Sequence, residues 1–77
     1  MTQQQIKKRI QSLSKEELGV HLWEGDSLKE SGMDSLSLVA LIVALEEDFS
    51  IEFSDDDLCP EKIEKFEDLV VLVEKYI

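Results

Sequence analysis

The sequence has one cysteine, one proline, one histidine and three glycines among its 77 residues. A single cysteine, Cys59, cannot close an internal disulfide, so we expect a reducing compartment and predict a cytoplasmic protein. We expect Cys59 itself to be a small buried side chain. One cysteine and one histidine do not make a zinc cluster, and no G-x-S-x-G motif accompanies His21. Zinc chemistry and nucleophilic serine catalysis are therefore not predicted.

Positive charge is scarce, because eight lysines and arginines face eighteen aspartates and glutamates, which gives a net charge of −10. Nucleic acids and anionic lipid surfaces both require a basic face, so neither is a predicted partner. No apolar run approaches the roughly 20 residues of a membrane span, and the polar N-terminal segment does not resemble a signal peptide. The charge instead favours protein partners with basic surfaces, metal cations or simple solubility.

The negative charge is unevenly distributed along the chain. Residues 1–34 contain five cations and six acids, a net charge of −1, whereas residues 35–77 contain three cations and twelve acids, a net charge of −9. Such asymmetry predicts a directed electrostatic face rather than general solubilisation.

Hydrophobic residues make up 43% of the chain, which is enough for a folded domain, and we expect residues 1–77 to form a single one. The first predicted helix covers residues 3–13, with Thr2 and Gln5 at capping-box spacing. Ser14 and Glu17 repeat that spacing and predict a separate short turn ending at Leu18. Residues 19–34 contain all the glycines and no periodicity, so they predict a long loop.

The second predicted helix, Ser35 to Phe49, is the clearest because Asp34 is a strong N-cap and the run has no glycine or proline. Its core face is defined by helical spacing and contains Leu38, Leu41, Ile42, Leu45 and Phe49. A second apolar ridge contains Leu36, Ala40 and Val43, with Val39 between the two faces. Either another helix covers this ridge, or it binds a partner.

A short third helix is predicted at residues 55–59, ending at Pro60, and a fourth at residues 65–76. Nothing in the sequence alternates as a half-buried strand does. The predicted fold class is therefore all-α, a small four-helix bundle with a long loop between helices 1 and 2 and a short helix 3.

A metal site is not predicted from the acidic run Asp55-Asp56-Asp57. In an EF-hand calcium loop starting there, the required glycine would fall on Pro60 and the bidentate glutamate on Phe66. Ser35 is more informative, because it directly follows a helix N-cap at the end of a long loop. The free N–H groups of a helix N-terminus favour a phosphate-linked group at such a serine.

The segment from Gly32 to Leu36 resembles the attachment motif of acyl carrier proteins and their relatives, the peptidyl carriers. In that family Asp-Ser-Leu, preceded by a glycine, opens the second helix, as Asp34-Ser35-Leu36 does here. The resemblance continues through the Leu45-Glu46-Glu47-Asp48-Phe49 run and the last predicted helix, and so covers nearly the whole chain. It implies a four-helix bundle of acyl-carrier type.

The resemblance also implies a function. Ser35, between Asp34 and Leu36, would carry 4′-phosphopantetheine attached from coenzyme A by a phosphopantetheinyl transferase. The arm would hold acyl groups as thioesters for enzymes of fatty-acid, polyketide or related lipid and secondary-metabolite biosynthesis. The carrier would not be catalytic and would act as a monomer. The implied partner surface consists of Leu36, Val39, Val43, Glu46 and Glu47.

Several positions depart from the family pattern. Ser37 and Ala40 stand where fatty-acid carriers usually have acids, and Lys65 replaces the usual Ser or Thr cap of the last helix. The missing acids fit a specialised carrier of a polyketide, a peptide or an unusual lipid about as well as a fatty-acid carrier. The alternative function is an acidic helical adaptor without a prosthetic group.

Overall fold

The computed structural model describes residues 2–58 and 61–77. Across those two ranges the chain forms three α-helices and one 3-10 turn: α1 (Gln3–Leu18), α2 (Ser35–Phe49), the 3-10 turn (Asp55–Asp57) and α3 (Phe66–Tyr76). The same ranges contain no β-strand, only an isolated bridge between Ser27 and Lys65. The all-α class is confirmed. The structure has three α-helices and a 3-10 turn where four helices were predicted. Cys59, which was expected to be buried, lies outside the described residues.

Helix α1 is longer than predicted, because it continues past Leu13 to Leu18 without a break. The prediction of a separate turn starting at Ser14 is wrong. The Ser14 side chain is fully buried and its hydroxyl donates to the carbonyl of Val20 at 2.7 Å. Ser14 therefore helps to close the end of α1 rather than to start a new turn. Gly19 then ends the helix in the left-handed conformation, with φ of +68°.

The capping box predicted at the start of α1 is confirmed. The Gln5 N–H donates to Oγ1 of Thr2 at 3.2 Å, and the Thr2 N–H donates to Oε1 of Gln5 at 2.8 Å. These bonds satisfy N–H groups that the first turn of a helix otherwise leaves without partners.

One apolar core joins the three helices and the segments between them. The buried helical side chains are Ile6, Ile10, Leu13, Leu41, Ile42, Leu45, Phe66, Leu69, Val70, Leu72 and Val73. The connecting segments add Leu22, Leu28, Met33, Phe53 and Ile63. The long loop is thus part of the core, which explains how so short a chain buries enough apolar surface to fold.

Main-chain hydrogen bonds fasten the long loop to the segment that leads into α3. The N–H of Leu28 donates to the carbonyl of Glu64 at 2.9 Å, and the N–H of Phe66 donates to the carbonyl of Asp26 at 3.0 Å. The loop that leads into α2 is consequently held against the segment that leads into α3.

Helix α3 begins at Phe66, with Lys65 as its N-cap residue. The Lys65 side chain makes no capping hydrogen bond, as its chemistry predicts. Instead, Oδ2 of Asp68 accepts from the N–H groups of both Glu64 and Lys65 at 2.9 Å. The Asp68 carboxylate therefore holds the two residues that precede α3, which is one half of a capping box, and no side chain replaces the Ser or Thr cap.

None of the helices in the described ranges is long and apolar enough to cross a membrane.

Candidate functional site

Ser35 is the first residue of α2, and it is exposed. Asp34 precedes it in an extended conformation and is the N-cap, as predicted. Oδ1 of Asp34 accepts from the N–H of Ser37 at 2.8 Å, and the main-chain carbonyl of Asp34 accepts from Leu38 at 2.9 Å. These two bonds fix the first turn of α2 and with it the main chain of Ser35.

The capping role of Asp34 changes its acidity. The main-chain N–H of Ser37, and then its hydroxyl, lower the pKa of the Asp34 carboxyl below the ordinary value. The carboxylate is therefore charged at neutral pH, which suits its place at the positive end of the helix dipole.

The chain enters the site through a constrained turn. Gly32 has φ of +93°, a left-handed conformation that side chains rarely adopt. The next residue, Met33, is buried in the core, and its N–H donates to the carbonyl of Leu28 at 3.1 Å. Met33 thus anchors the chain two residues before Ser35, and the serine is held in position although it is exposed.

A groove of about 730 Å³ opens beside Ser35, which lies on its rim. Its apolar side chains come from the long loop, from α2 and from the segment before α3, and they are Leu28, Met33, Leu38 and Ile63. The charged side chains that line the groove are Lys29, Asp34 and Glu64, so its charge gives no preference for an anion. The exposed hydroxyl at the start of a helix fits a phosphate-linked group, and the apolar groove beside it has room for an arm.

The second ridge of α2 is exposed. Leu36 is 82% accessible, Val39 58% and Val43 45%. Of the two interpretations of this ridge, coverage by another helix is wrong for the part of the chain that the structure describes. An apolar surface therefore begins at the residue after Ser35 and runs along α2.

The three acids in the last turn of α2 have different surroundings. Asp48 accepts from Arg9 of α1 through both of its oxygens, with 2.7 Å between Nε and Oδ2. Oε2 of Glu46 accepts from the main-chain N–H of Phe53 at 2.9 Å. Glu47 is exposed and has no ion-pair or side-chain hydrogen-bond partner among residues 2–58 and 61–77. Sequence reasoning missed the contacts of Asp48 and Glu46, because neither partner lies one helical turn away.

His21 and the acidic side chains are the other candidate groups in the sequence. His21 is exposed and stacks on Trp23, with 6.2 Å between the ring centroids. Across residues 2–58 and 61–77, no three or more His, Cys, Asp or Glu side chains are grouped so that they could hold a metal ion.

The sequence and the fold are similar to those of known proteins. Residues 6–70 match the family described as "Phosphopantetheine attachment site". An acyl carrier protein of Solidesulfovibrio magneticus is 32% identical, over 91% of this chain and 92% of that protein. One of Nitratidesulfovibrio vulgaris is 35% identical, over 88% of this chain and 92% of that protein. The crystal structure of an acyl carrier protein from Thermotoga maritima covers 95% of this chain and 87% of its own, with a TM-score of 0.81 and 26% identity.

The fold and the matched sequence define a small helical carrier domain. The chain belongs to the acyl carrier protein family, whose members bear covalently bound phosphopantetheine. Acyl carrier proteins are carriers that work with synthase and transferase enzymes.

Proposed function

We propose that Ser35 is the attachment site of 4′-phosphopantetheine and that residues 1–77 act as one acyl carrier domain. The single observation that carries the proposal is the exposed hydroxyl of Ser35 at the start of α2, on the rim of the groove. The Oγ of Ser35 would attack the phosphorus of coenzyme A that bears the pantetheine and form the phosphodiester as the pyrophosphate bond breaks. Adenosine 3′,5′-bisphosphate would leave, and the hydroxyl proton would pass to a base of the phosphopantetheinyl transferase. The thiol of the bound arm supplies the thioester chemistry.

The residues around Ser35 prepare this position for a phosphodiester. Asp34 fixes the first turn, and Leu38 makes the first intrahelical bond, back to Asp34. The N–H groups of Ser35 and Leu36 precede that bond and lie at the positive end of the helix dipole, where a phosphate is stabilised. The apolar wall of Met33 and Ile63 offers shelter to part of the arm or of an acyl chain.

The carrier contributes tethering rather than catalysis. A flexible arm presents the acyl group to each partner at an effective concentration on the order of millimolar. Leu36, Val39 and Val43 offer apolar contacts to the partner, and Glu46 and Glu47 lie at the acidic end of the same helix. The overall charge of −10 steers basic partner surfaces towards the carrier.

The proposed pathway is fatty-acid, polyketide or related lipid and secondary-metabolite biosynthesis, with the chain acting as a cytoplasmic monomer. Ser37 and Ala40 support a specialised carrier of a polyketide, a peptide or an unusual lipid as well as a fatty-acid carrier. Both stand where fatty-acid carriers usually have acids.

The test is incubation of the purified protein with coenzyme A and a broad-specificity phosphopantetheinyl transferase, followed by intact-mass measurement. We expect a gain of one phosphopantetheine in the wild type and in Ser37→Ala, and no gain in Ser35→Ala. Ser37 is a matched control because it is a serine of the same helical turn. An unchanged wild-type mass would contradict the carrier function and favour an acidic adaptor.

A further inference from the structure

Trp23 is the only tryptophan of the chain, and its side chain lies on the surface, 63% accessible. It opens a four-residue turn that is closed by two hydrogen bonds. The N–H of Asp26 donates to the carbonyl of Trp23 at 3.1 Å, and the N–H of Trp23 donates to Oδ2 of Asp26 at 2.9 Å. The function proposed for Ser35 makes no use of this exposed indole.

The turn that carries Trp23 is fixed to two helices. Nζ of Lys7 in α1 lies 3.1 Å from Oε1 of Glu24. The N–H of Gly25 donates to Oε2 of Glu67 in α3 at 2.8 Å. Because the turn is already held at two points, burying the indole against a partner would require little further ordering of the chain.

A second exposed apolar side chain, Val71, lies on the same side of α3 as the glutamate that holds the turn. Val71 is 64% accessible and lies one helical turn after Glu67 and one before Glu74. Oε1 of Glu74 accepts from Nε2 of Gln3 at 3.0 Å, so this row of α3 runs alongside α1. We call Trp23, Glu67, Val71 and Glu74 the indole face.

The indole face lies on the side of α1 that is turned away from α2. Arg9 of α1 reaches Asp48 of α2, whereas Lys7 of α1 reaches Glu24 in the turn. Two positions along a helix are about 200° apart around its axis, so Lys7 and Arg9 point in nearly opposite directions. No member of the indole face lines the groove beside Ser35. The face is therefore separate from Ser35 and from the second ridge of α2.

The charge of the indole face indicates which surface would complement it. Glu67 and Glu74 flank Val71, and neither forms an ion pair within residues 2–58 and 61–77. The nearby Lys7 is already paired with Glu24. A second copy in a symmetric dimer would bring the same carboxylates together, and an anionic lipid surface would repel them. A complementary surface is therefore apolar at its centre and basic at its rim.

We propose that the indole face binds a partner protein whose surface offers an apolar recess for Trp23 and two cationic side chains for Glu67 and Glu74. Tryptophan is prominent among the few residues that supply most of the binding energy of an interface. Binding at this face leaves α2 and Ser35 accessible, so one protein can hold the chain while another acts at the serine. The binding itself does not depend on phosphopantetheine at Ser35.

The experiment follows the fluorescence of Trp23, which reports on the indole face because the chain has no other tryptophan. The probe is an amphipathic helical peptide of leucine and lysine, and two control peptides replace every lysine by glutamine or by glutamate. We expect the lysine peptide to shift the emission to shorter wavelength as the indole leaves water, and the controls to bind at least tenfold more weakly. No shift, or equal affinity for the glutamine peptide, would overturn the proposal.

Variants of the chain test which residues bind the lysine peptide. We expect Val71→Ser to weaken binding at least fivefold, and Glu74→Gln two- to threefold. Val39→Ser is the matched control, because Val39 is 58% accessible but lies on α2, and it should change the affinity less than twofold. Tm should change by less than about 2 °C in both valine variants, since both side chains are exposed. Equal losses of affinity in the two would overturn the proposal.

The same emission distinguishes the other occupants of the face. A shift caused by raising the protein concentration alone about a hundredfold would identify a second copy of the chain. A shift caused by phosphatidylglycerol vesicles would identify a membrane surface. Either result would overturn the proposal.

The two proposals fail in different ways. Val71→Ser should gain phosphopantetheine at the wild-type rate, because the indole face is separate from Ser35, and a rate lowered more than twofold would contradict that separation. If the wild type gains no phosphopantetheine but binds the lysine peptide as expected, only the carrier function is contradicted.

Discussion

The two faces of α2 are made of the same kinds of residue, yet they have opposite surroundings. Leu41 and Leu45 are completely buried in the core, whereas Leu36 and Val39 are 82% and 58% accessible. Folding needs only one apolar face of a surface helix. The second face therefore contributes little to stability, and the proposed binding of partners would account for its composition.

The largest expected effect tests this contrast in the core. Leu45→Ala should lower the free energy of unfolding by about 2–5 kcal/mol, because it leaves a cavity in a closely packed core. Leu36→Ala, which removes the same atoms from the exposed face, should change it by less than about 0.5 kcal/mol. Urea unfolding of both variants measures the difference. Equal losses would mean that Leu36 is also packed within the folded chain.

A smaller effect is expected at the turn before the site. Gly32→Ala places a side chain at φ of +93°, although no atom lies within 4 Å of the new Cβ. The strain should cost about 1–2 kcal/mol. Because the turn leads directly to Met33 and Asp34, the rate of loading at Ser35 should fall as well. Thermal unfolding and the mass-based loading assay report the two effects. An unchanged Tm would show that the turn relaxes without strain.

The smallest expected effect is a loss of stability in acid. Three carboxyl groups have a lowered pKa because they accept side-chain or main-chain hydrogen bonds. Asp34 accepts from Ser37, Asp48 from Arg9, and Asp57 from Lys75 and Tyr76. A carboxyl group with a lowered pKa in the folded state binds protons more readily when the chain unfolds. The stability it contributes is present above the ordinary pKa near 4 and is lost as the pH falls through the lowered value.

Tm measured from pH 7 down to pH 2 checks this prediction. The fall in Tm below about pH 4 should be shallower in Asp48→Asn than in the wild type, since the variant lacks one of the shifted groups. Asp56→Asn is the control, because Asp56 is exposed and has no ion-pair partner in the part of the chain that the structure describes. The same change in slope in both variants would contradict the role of the Asp48 contact.

The sequence predicted α2 well because its signals are local. Asp34 caps the helix through a residue three positions away, and nothing interrupts the run to Phe49. The prediction at Ser14 is wrong because it used local signals alone. The spacing of Ser14 to Glu17 matches that of a cap, whereas the burial of Ser14 and its bond to Val20 depend on how the long loop returns to α1.

The parts of the site that sequence reasoning missed depend on distant contacts. Arg9 and Asp48 are 39 residues apart, and no periodicity along the chain pairs them. The groove likewise combines Met33 from the loop with Ile63 from the segment before α3. Residue types and spacing predicted the serine and its helix. The wall beside it and the different surroundings of the acids follow from tertiary packing.

The main-chain bonds between the long loop and the entry to α3 have a consequence for the order of events during protein synthesis. Phe66 and Glu64, which hold Asp26 and Leu28, are added to the growing chain about thirty residues after Ser35. Until they leave the ribosome, Asp26 and Leu28 lack these main-chain partners, and the groove lacks the wall that Ile63 supplies. We therefore expect a nascent chain to present Ser35 in its final setting only after residues 63–66 have emerged, so that shorter nascent chains are poor substrates for modification.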